Sequence, residues 1–566
     1  MVGLARGVTP PLHSRRSAVA SISVLPPELL IRIFRFYALE EPPWSSSVQK
    51  KKLGWIGITH VCQRWRQVGL GDLSLWARIT GASPSAEWIS EMLVRARNAT
   101  LVVDFAVTPV PEVLSKITPH IFRIRELRLR GVSVHRSQGL LKICALDAPA
   151  LEHFELGVST LVPLTFHQLG GTTLFGGRAP KLRTLSLSMI SIPWSLIPRG
   201  QLTQLKISFS RWIPSPSTSP SDSNQLLDLL INSPDLEVLV LEFCLPTMLF
   251  QTPDGKAVHL PRLLRLCLGD STFCVANLLK MLQLPSSTTI HLRCIVENSS
   301  TDNIKIIFSL VSAHFHNSAP VGSRSLRIAI NSLNGPIYVA ASLARLEWAI
   351  SGLDALGDDT DSDAELTMSF DGLPFSSHST SMQRDLLEVV FGMLPISNIE
   401  LLFISVPAFN LSVNWYGLTQ RCQKVTTIRA SGPGTSGLLR SLAPLIPTQT
   451  SSGSKGKERR HVNRATRTQE AINTTGTHVA ITPFPKLTSL LLENLDFGLA
   501  VDQYGVLYHV VAFVLRRRRE NNASLSVLGL DHCVITPDRA KGLKKYVQVL
   551  RWDGDEGTPS EEWDNV

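Results

Sequence analysis

The run Gly432-Pro433-Gly434-Thr435-Ser436-Gly437 has the glycine spacing with which a strand-to-helix turn presents backbone amides to a dinucleotide pyrophosphate. Pro433 removes one of those amides. Such a site also needs a second strand ending in an acid about twenty residues on, where this chain has a basic, Ser/Thr/Gly-rich stretch. The strand-like residues before the glycines are in phase with a repeat traced below, so the run is read as a turn of that repeat. The stretch from Gly453 to Lys457 lacks the full spacing and the closing Ser or Thr of a phosphate-binding loop. Asp354, Asp358, Asp359, Asp361, Asp363 and Glu365 offer oxygens for calcium, but the glycine and terminal glutamate of such a loop are not at their offsets, and a solvated turn is expected. The eight cysteines form no C-x-x-C pair, and the closest two, Cys267 and Cys274, have no histidines at ligand spacing. There is no H-E-x-x-H, no G-x-S-x-G and no recognisable frame of paired carboxylates. The sequence thus nominates no catalytic residue, no metal and no cofactor: it reads as a binding protein and not an enzyme.

Binding without chemistry depends on the surfaces that the elements display. With 566 residues, 44% hydrophobic and 18% charged, the chain can bury a large core and is several domain-lengths long, as expected of a small module plus an extended repeat array. The net charge of +10 is spread along the chain apart from two short clusters, so nucleic acid is not an expected partner. Glu28 and Arg32 interrupt one apolar run and Arg516 closes another, leaving none of the roughly eighteen residues a membrane span needs. Arg6, Arg15 and Arg16 give the start a basic bias, but Pro10 and Pro11 oppose the amphipathic helix of a transit peptide. The expected location is the cytoplasm and/or nucleus.

From Ile22 to Phe34 the chain opens extended and turns helical at Pro26 and Pro27, which suit a first helical turn, with Glu28 favourable at the N-terminus. Leu29, Ile33 and Phe36 recur at helical spacing along one face, and Leu30 and Phe34 form an adjacent stripe, so nearly the whole circumference is apolar. A second stretch supplies Trp55, Ile58, Val61, Trp65 and Val68 at steps of three and four, with Arg64, Arg66 and Gln67 opposite. A polar loop from Glu40 to Lys52 separates them. So short a module buries little core alone, and helices that are apolar on two sides predict a partner over one of them.

Leu25-Pro26-x-Glu28-Leu29-Leu30-x-x-Ile33-Phe34, then Val61-Cys62-x-x-Trp65-Arg66, then Leu75-Trp76 resembles the F-box pattern, in the form common in mushroom-forming fungi. The stretch from Trp88 to Asp104 is also similar to that family. The resemblance implies a three-helix module that docks onto the Skp adaptor and, through it, a cullin. By matching motif positions it puts the adaptor contacts on Leu25, Pro26, Leu29, Leu30, Ile33, Val61, Cys62 and Trp65.

From Ile124 onward one signature returns: apolar, two variable, apolar, one variable, apolar. The clearest copies are Ile124/Leu127/Leu129, Leu151/Phe154/Leu156, Leu182/Leu185/Leu187, Leu202/Leu205/Ile207, Leu236/Leu239/Leu241, Leu263/Leu266/Leu268, Ile399/Leu402/Ile404, Val425/Ile428/Ala430, Leu487/Leu490/Leu492 and Leu525/Leu528/Leu530. The first six starts are 27, 31, 20, 34 and 27 residues apart, near the period of leucine-rich repeats. Two copies place Cys244 and Cys533 where that repeat accepts Asn or Cys, which predicts inward-turned structural thiols. Several follow a proline, as at Pro149, Pro180, Pro234, Pro261 and Pro485, predicting an extended approach to the strand. Between about 284 and 395 only traces persist, as in Ile290/Leu292, Leu326/Ile328 and Leu366/Met368/Phe370, and degenerate repeats are expected in preference to an inserted domain.

In such a solenoid the alternate strand residues form an open concave sheet. Here they include Arg128, Arg130, Glu155, Lys206, Glu242, Arg265, Leu491, Glu493 and Asp531, a mixed-charge face suited to an unknown target protein. The expected fold is therefore mixed α and β: an N-terminal three-helix F-box followed by an irregular leucine-rich-repeat α/β solenoid, a horseshoe or arc. Its expected division is a disordered start (1–20), F-box (21–80), linker or first cap (81–120), solenoid (121–446), disordered basic loop (447–482), terminal repeats (483–552) and tail (553–566). Residues Arg516 to Arg519 follow an apolar helical run and are expected to place positive charge at a helix C-terminus. The expected function is substrate recognition within a Skp-cullin-F-box ubiquitin ligase; the alternative is a structural scaffold with a vestigial F-box.

Overall fold

The computed structural model describes residues 25–43, 53–80, 85–105, 111–132, 143–160, 163–165, 174–198, 201–210, 220–248, 250, 257–297, 301–318, 325–330, 337–342, 366–371, 379–406, 415–444, 482–501 and 505–554. The expected disordered start, nearly all of the basic loop and tail, and the run from Asp354 to Glu365 lie outside the described residues. The chain forms two compact units, Met1–Thr288 and Thr289–Val566.

The first unit opens with helices α1 (Pro27–Glu40), α2 (Gln63–Gly71) and α3 (Leu73–Trp76), with a 3-10 stretch, Gly54–His60, ahead of α2. Pro27 stands in the first turn of α1, where a missing amide costs nothing, and Asp72 caps α3 by accepting from the Ser74 amide. A parallel sheet follows in chain order: β1 (Arg78–Thr80), β2 (Leu101–Phe105), β3 (Ile124–Val132), β4 (His153–Val158), β5 (Thr184–Ser188), β6 (Gln204–Ser208), β7 (Val238–Glu242) and β8 (Arg265–Ser271). The register is held, so Leu127, Phe154, Leu185, Leu205, Leu239 and Leu266 stand in one inward row. Residues 81–120 supply β2 and the helices Ala86–Ala96 and Pro111–Ile117, so the ladder begins before Ile124, where the repeat pattern becomes readable.

In all ten traced copies the three apolar residues are no more than 3% exposed, which is what one strand per repeat with its apolar side against the core requires. The prolines act by a definite local device. Leu151, Leu182, Leu236, Leu263 and Leu487 each donate their amide to the carbonyl three residues back, across the turn that contains the proline, at 3.0–3.3 Å. Proline presets the first corner of such a turn, so each strand starts at a fixed place. Cys244 and Cys533 are sealed, and their thiols donate to the carbonyls of Ile207 (3.6 Å) and Leu492 (3.3 Å) on the preceding strand. Burial pushes Cys244 well above the usual thiol range and Cys533 up to about 12, so both are structural.

The second unit carries β9 (Thr289–Ile295), β10 (Ser325–Ile330), β11 (Ile337–Ser342), β12 (Leu366–Asp371), β13 (Leu401–Ser405), β14 (Thr427–Ser431), β15 (Ser489–Glu493), β16 (Val527–Asp531) and β17 (Val549–Trp552). From β13 onward the order is again sequential and parallel. Before it the pattern departs from a plain repeat. Strand β12 returns beside β9, and β11 lies antiparallel between β12 and β10, which pairs with β13. The described strands between Thr289 and Asp371 therefore belong to the second unit's sheet with one of them reversed, and the traces Ile290/Leu292, Leu326/Ile328 and Leu366/Met368/Phe370 are its buried side. Sequence reading missed β11.

The open concave sheet expected here is also corrected in part. Leu401, Phe403 and Ser405 on β13 and Arg327 on β10 occupy the outward positions yet are at most 7% exposed, with the Arg327 guanidinium 5.2 Å from the Phe403 ring centre. The cause is visible in the run Leu401-Leu402-Phe403-Ile404, which is apolar continuously instead of alternately, the pattern of a strand covered on both faces.

Helix Leu507–Glu520 ends in four arginines with separate duties. Arg518 is wholly buried and donates to the carbonyls of Leu442 (3.2 Å), Pro483 (2.8 Å), Phe484 (3.1 Å) and Ala523 (3.1 Å). Burial lowers its pKa to about 10, and the carbonyls supply the negative potential that a carboxylate otherwise would. Arg516 and Arg517 pair with Glu520 within the same helix, and Arg519 donates to the Lys545 carbonyl beyond the next helix. Arg421 likewise grips the carbonyls of Phe391 and Leu394 at the end of helix Ser379–Met393. The glycine run at 432–437 is also structural. Gly432 has φ +81°, and a Cβ on Gly437 would come within 2.9 Å of the Trp415 indole nitrogen, so the run lets a short helix sit against Trp415.

Replacing Arg518 with Met removes the side-chain donor from four carbonyls, of which that of Phe484 still accepts the Leu487 amide, and is expected to cost roughly 3 kcal/mol, read as a lower urea midpoint of the full chain. Iodoacetamide on the native protein is expected to modify the half-buried Cys62 well before Cys244 or Cys533, a difference that mass spectrometry measures and urea abolishes.

Candidate functional site

Helix α1 divides its apolar residues between two sides. Leu30, Phe34 and Ala38, four apart, are 0%, 1% and 7% exposed, while Leu29 and Ile33 are 44% and Phe36 71% exposed on the neighbouring stripe. Tyr37 and Leu39 also remain exposed, as does Val61, at 62%, just before α2. Large side chains left this open on adjacent helical turns are unusual unless something covers them. Covering them releases on the order of 1 kcal/mol apiece.

The helices are held rigidly enough to present that stripe. Phe34 packs on Trp65 with ring centres 5.2 Å apart. Cys62 is half-buried and its sulfur accepts the Trp65 amide at 3.5 Å, capping α2. Arg64 donates to the carbonyl of the half-buried Leu25, which brings the starts of α1 and α2 together, with Pro26 exposed beside them. Arg35 makes two 3.0 Å hydrogen bonds to Asp72, whose carboxylate also accepts from the Ser74 hydroxyl. Burial alone would raise the Asp72 pKa, but the hydrogen bonds from Arg35 and Ser74 outweigh it and hold the carboxyl below its ordinary value. Trp76 meets Trp55 edge-on at 5.0 Å, lies under Arg95 at 4.3 Å and donates its indole N–H to the Gly69 carbonyl at 2.9 Å. Gly54 has φ +54°, and a Cβ there would meet the Glu41 carbonyl oxygen at 2.5 Å, so glycine is required at this corner.

Of the eight residues selected from sequence, Pro26, Leu29, Ile33 and Val61 are exposed, Leu25, Cys62 and Trp65 are half-buried, and Leu30 is sealed. Leu30 is therefore a core residue: it lies one helical position from Leu29, and that rotation of about 100° turns it onto α2 and α3. Phe36 is the omission. Its spacing from Leu29 and Ile33 is legible in the sequence, but it lies beyond the motif positions.

The outward strand residues form a second surface. In the first unit Thr80, Asp104, Arg128, Glu155, Ser186, Lys206, Val240 and Cys267 stand in one lateral row. Arg130 bonds Glu155 at 2.7 Å and Asp104 at 3.2 Å, and Arg128 lies 3.1 Å from Glu126, so these charges satisfy one another. Lys206 and Glu242 are half-buried and Arg265 is exposed. In the second unit Leu491 is half-buried, whereas Glu493 is only 2% exposed and pairs with Arg429 at 2.9 Å. Burial raises the Glu493 pKa against the pull of Arg429.

Residues 22–81 match the family described as F-box-like, which spans α1 to α3 and the start of the sheet. No curated protein matches the chain. The molecule thus carries an F-box-like domain followed by a long, mostly parallel α/β region of leucine-rich-repeat type. None of its described helices is long and apolar enough to cross a membrane.

The Arg35–Asp72 pair makes the module acid-sensitive in a defined sense. Because the folded Asp72 pKa is depressed, its stabilising contribution is fully present above the unfolded value of 3.8 and is lost as pH falls through the folded value. Asp72→Asn is expected to lower stability at pH 7 by about 1 kcal/mol and to flatten the acid limb below pH 4, measured by tryptophan fluorescence across a pH series.

Proposed function

We propose that this chain is a substrate receptor of a Skp-cullin-F-box ubiquitin ligase. The F-box-like domain binds the Skp adaptor, and the repeat region binds a target protein. The observation that carries the reading is the exposed stripe of Leu29, Ile33 and Phe36 with Val61 beside it: apolar side chains that the chain's own packing leaves uncovered on a module matched to a partner-binding family. Leu25, Pro26 and Cys62 complete the contact surface. Leu30 and Trp65 act behind it, by holding α1 against α2.

The role needs no catalytic residue in this chain, because ubiquitin transfer is the work of the assembled ligase. Recognition of the target rests on the outward strand residues. Lys206, Glu242, Arg265 and Leu491 belong to that surface, and Arg128, Arg130 and Glu155 must exchange an existing partner to bind another protein.

Co-expression with the Skp adaptor tests the reading. The wild-type chain is expected to co-purify with it, and Leu29→Asp or Val61→Asp to weaken the complex by roughly 30-fold or more while leaving the circular dichroism unchanged. A wild-type chain that fails to co-purify sinks the proposal, as do charged variants that bind normally. Capture of the adaptor without a cullin favours a scaffold with no part in ubiquitin transfer.

A further inference from the structure

On the outward side of the second unit, Glu493 on β15 and Asp531 on β16 are direct lateral partners. Together with Asp553 they line an open cavity of about 550 Å³. One Glu493 oxygen accepts from Arg429, but the other, Oε2, is buried and has no hydrogen-bond partner among the described residues. A buried, unpaired carboxylate oxygen is costly unless something binds it. Burial and then the neighbouring Asp531 raise its pKa against Arg429, so the site favours added positive charge. The Trp552 indole N–H in the same lining is also buried and unpartnered.

The walls suit a long side chain more than a bare ion. Leu491 lies across Gly529, where a Cβ would meet its methyl at 2.5 Å, so glycine leaves room for an apolar floor beside the acids. Three carboxylates face two guanidiniums, one of which, Arg429, is already committed to Glu493 while Arg551 is exposed on β17. The His532 amide donates to Asp553 at 2.6 Å and holds that carboxylate at the rim.

We propose that this cavity receives a lysine or arginine side chain of the target protein: the stem packs on Leu491, the cationic head reaches Glu493 and Asp531, and Trp552 donates to a carbonyl of the same segment. The proposal rests on the substrate-receptor reading and names the chemistry its target must present.

The test is selection of a phage-displayed random decapeptide library on the full chain bound to the Skp adaptor. Arginine or lysine is expected to be enriched at one position, and replacing it with norleucine in the best synthetic peptide to weaken binding at least about tenfold in fluorescence anisotropy. The same loss is expected for Asp531→Asn combined with Asp553→Asn, but not for Lys206→Ala in the first unit. Absence of basic enrichment, equal binding of the norleucine peptide, or an unaffected double variant overturns the proposal. So does stoichiometric zinc uptake in equilibrium dialysis that needs Asp531, His532 and Asp553, whose ligand atoms lie within 4.8 Å of one another, and that blocks the peptide. Adaptor binding is scored on the same preparations. Its persistence with no basic selection rejects the cavity alone, and its absence in wild type rejects the receptor reading.

Discussion

No single strand of this protein can bury its own apolar side. Each presents two or three inward residues along some five positions, too few to close a core, and becomes stable only when the next strand sets its own row alongside. The row Leu127, Phe154, Leu185, Leu205, Leu239, Leu266 is the result, and the other features either keep that row in register or use the face it leaves over. Proline turns fix where each strand begins. The thiols of Cys244 and Cys533 tie a strand's end to its predecessor. Arginines such as Arg421 and Arg518 gather carbonyls at the ends of helices and turns.

The opening helices meet the same shortage differently. They carry more apolar surface than sixty residues can hide, and the packing of Leu30, Phe34 and Ala38, with Phe34 on Trp65, uses only one side of α1. What remains is not loose. The Arg35–Asp72 pair, the Trp76–Gly69 hydrogen bond and the sterically required Gly54 hold the exposed stripe in place, and a fixed apolar surface loses little entropy when a partner covers it.

The outward faces of the two units differ in a way that matters for recognition. In the first, the charges mostly satisfy neighbours on adjacent strands, and specificity would come from exchanging these partners. In the second, β10 and β13 are covered on both faces, while farther along one buried Glu493 oxygen beside Asp531 has no hydrogen-bond partner among the described residues. Strongly desolvated charge of this kind discriminates sharply between partners, because a wrong one leaves it unpaired.

The sequence by itself determined the repeats, their inward residues, the structural character of the two cysteines and the two-sided opening helix, because periodicity reports which way a side chain points along a strand or helix. It also carried the absence of alternation in Leu401-Leu402-Phe403-Ile404, the mark of a strand covered on both faces. Only the tertiary structure decided which of two adjacent apolar stripes faced outward, sealing Leu30 and baring Phe36, since that depends on where α2 and α3 pack. It alone revealed the reversed strand at Ile337–Ser342, which pairs antiparallel with the strands before and after it and so falls outside the parallel repeat pattern. Arg518 makes the same point most sharply: four consecutive arginines read alike, and only the carbonyls of Leu442, Pro483, Phe484 and Ala523, brought together by folding, give one of them a buried role.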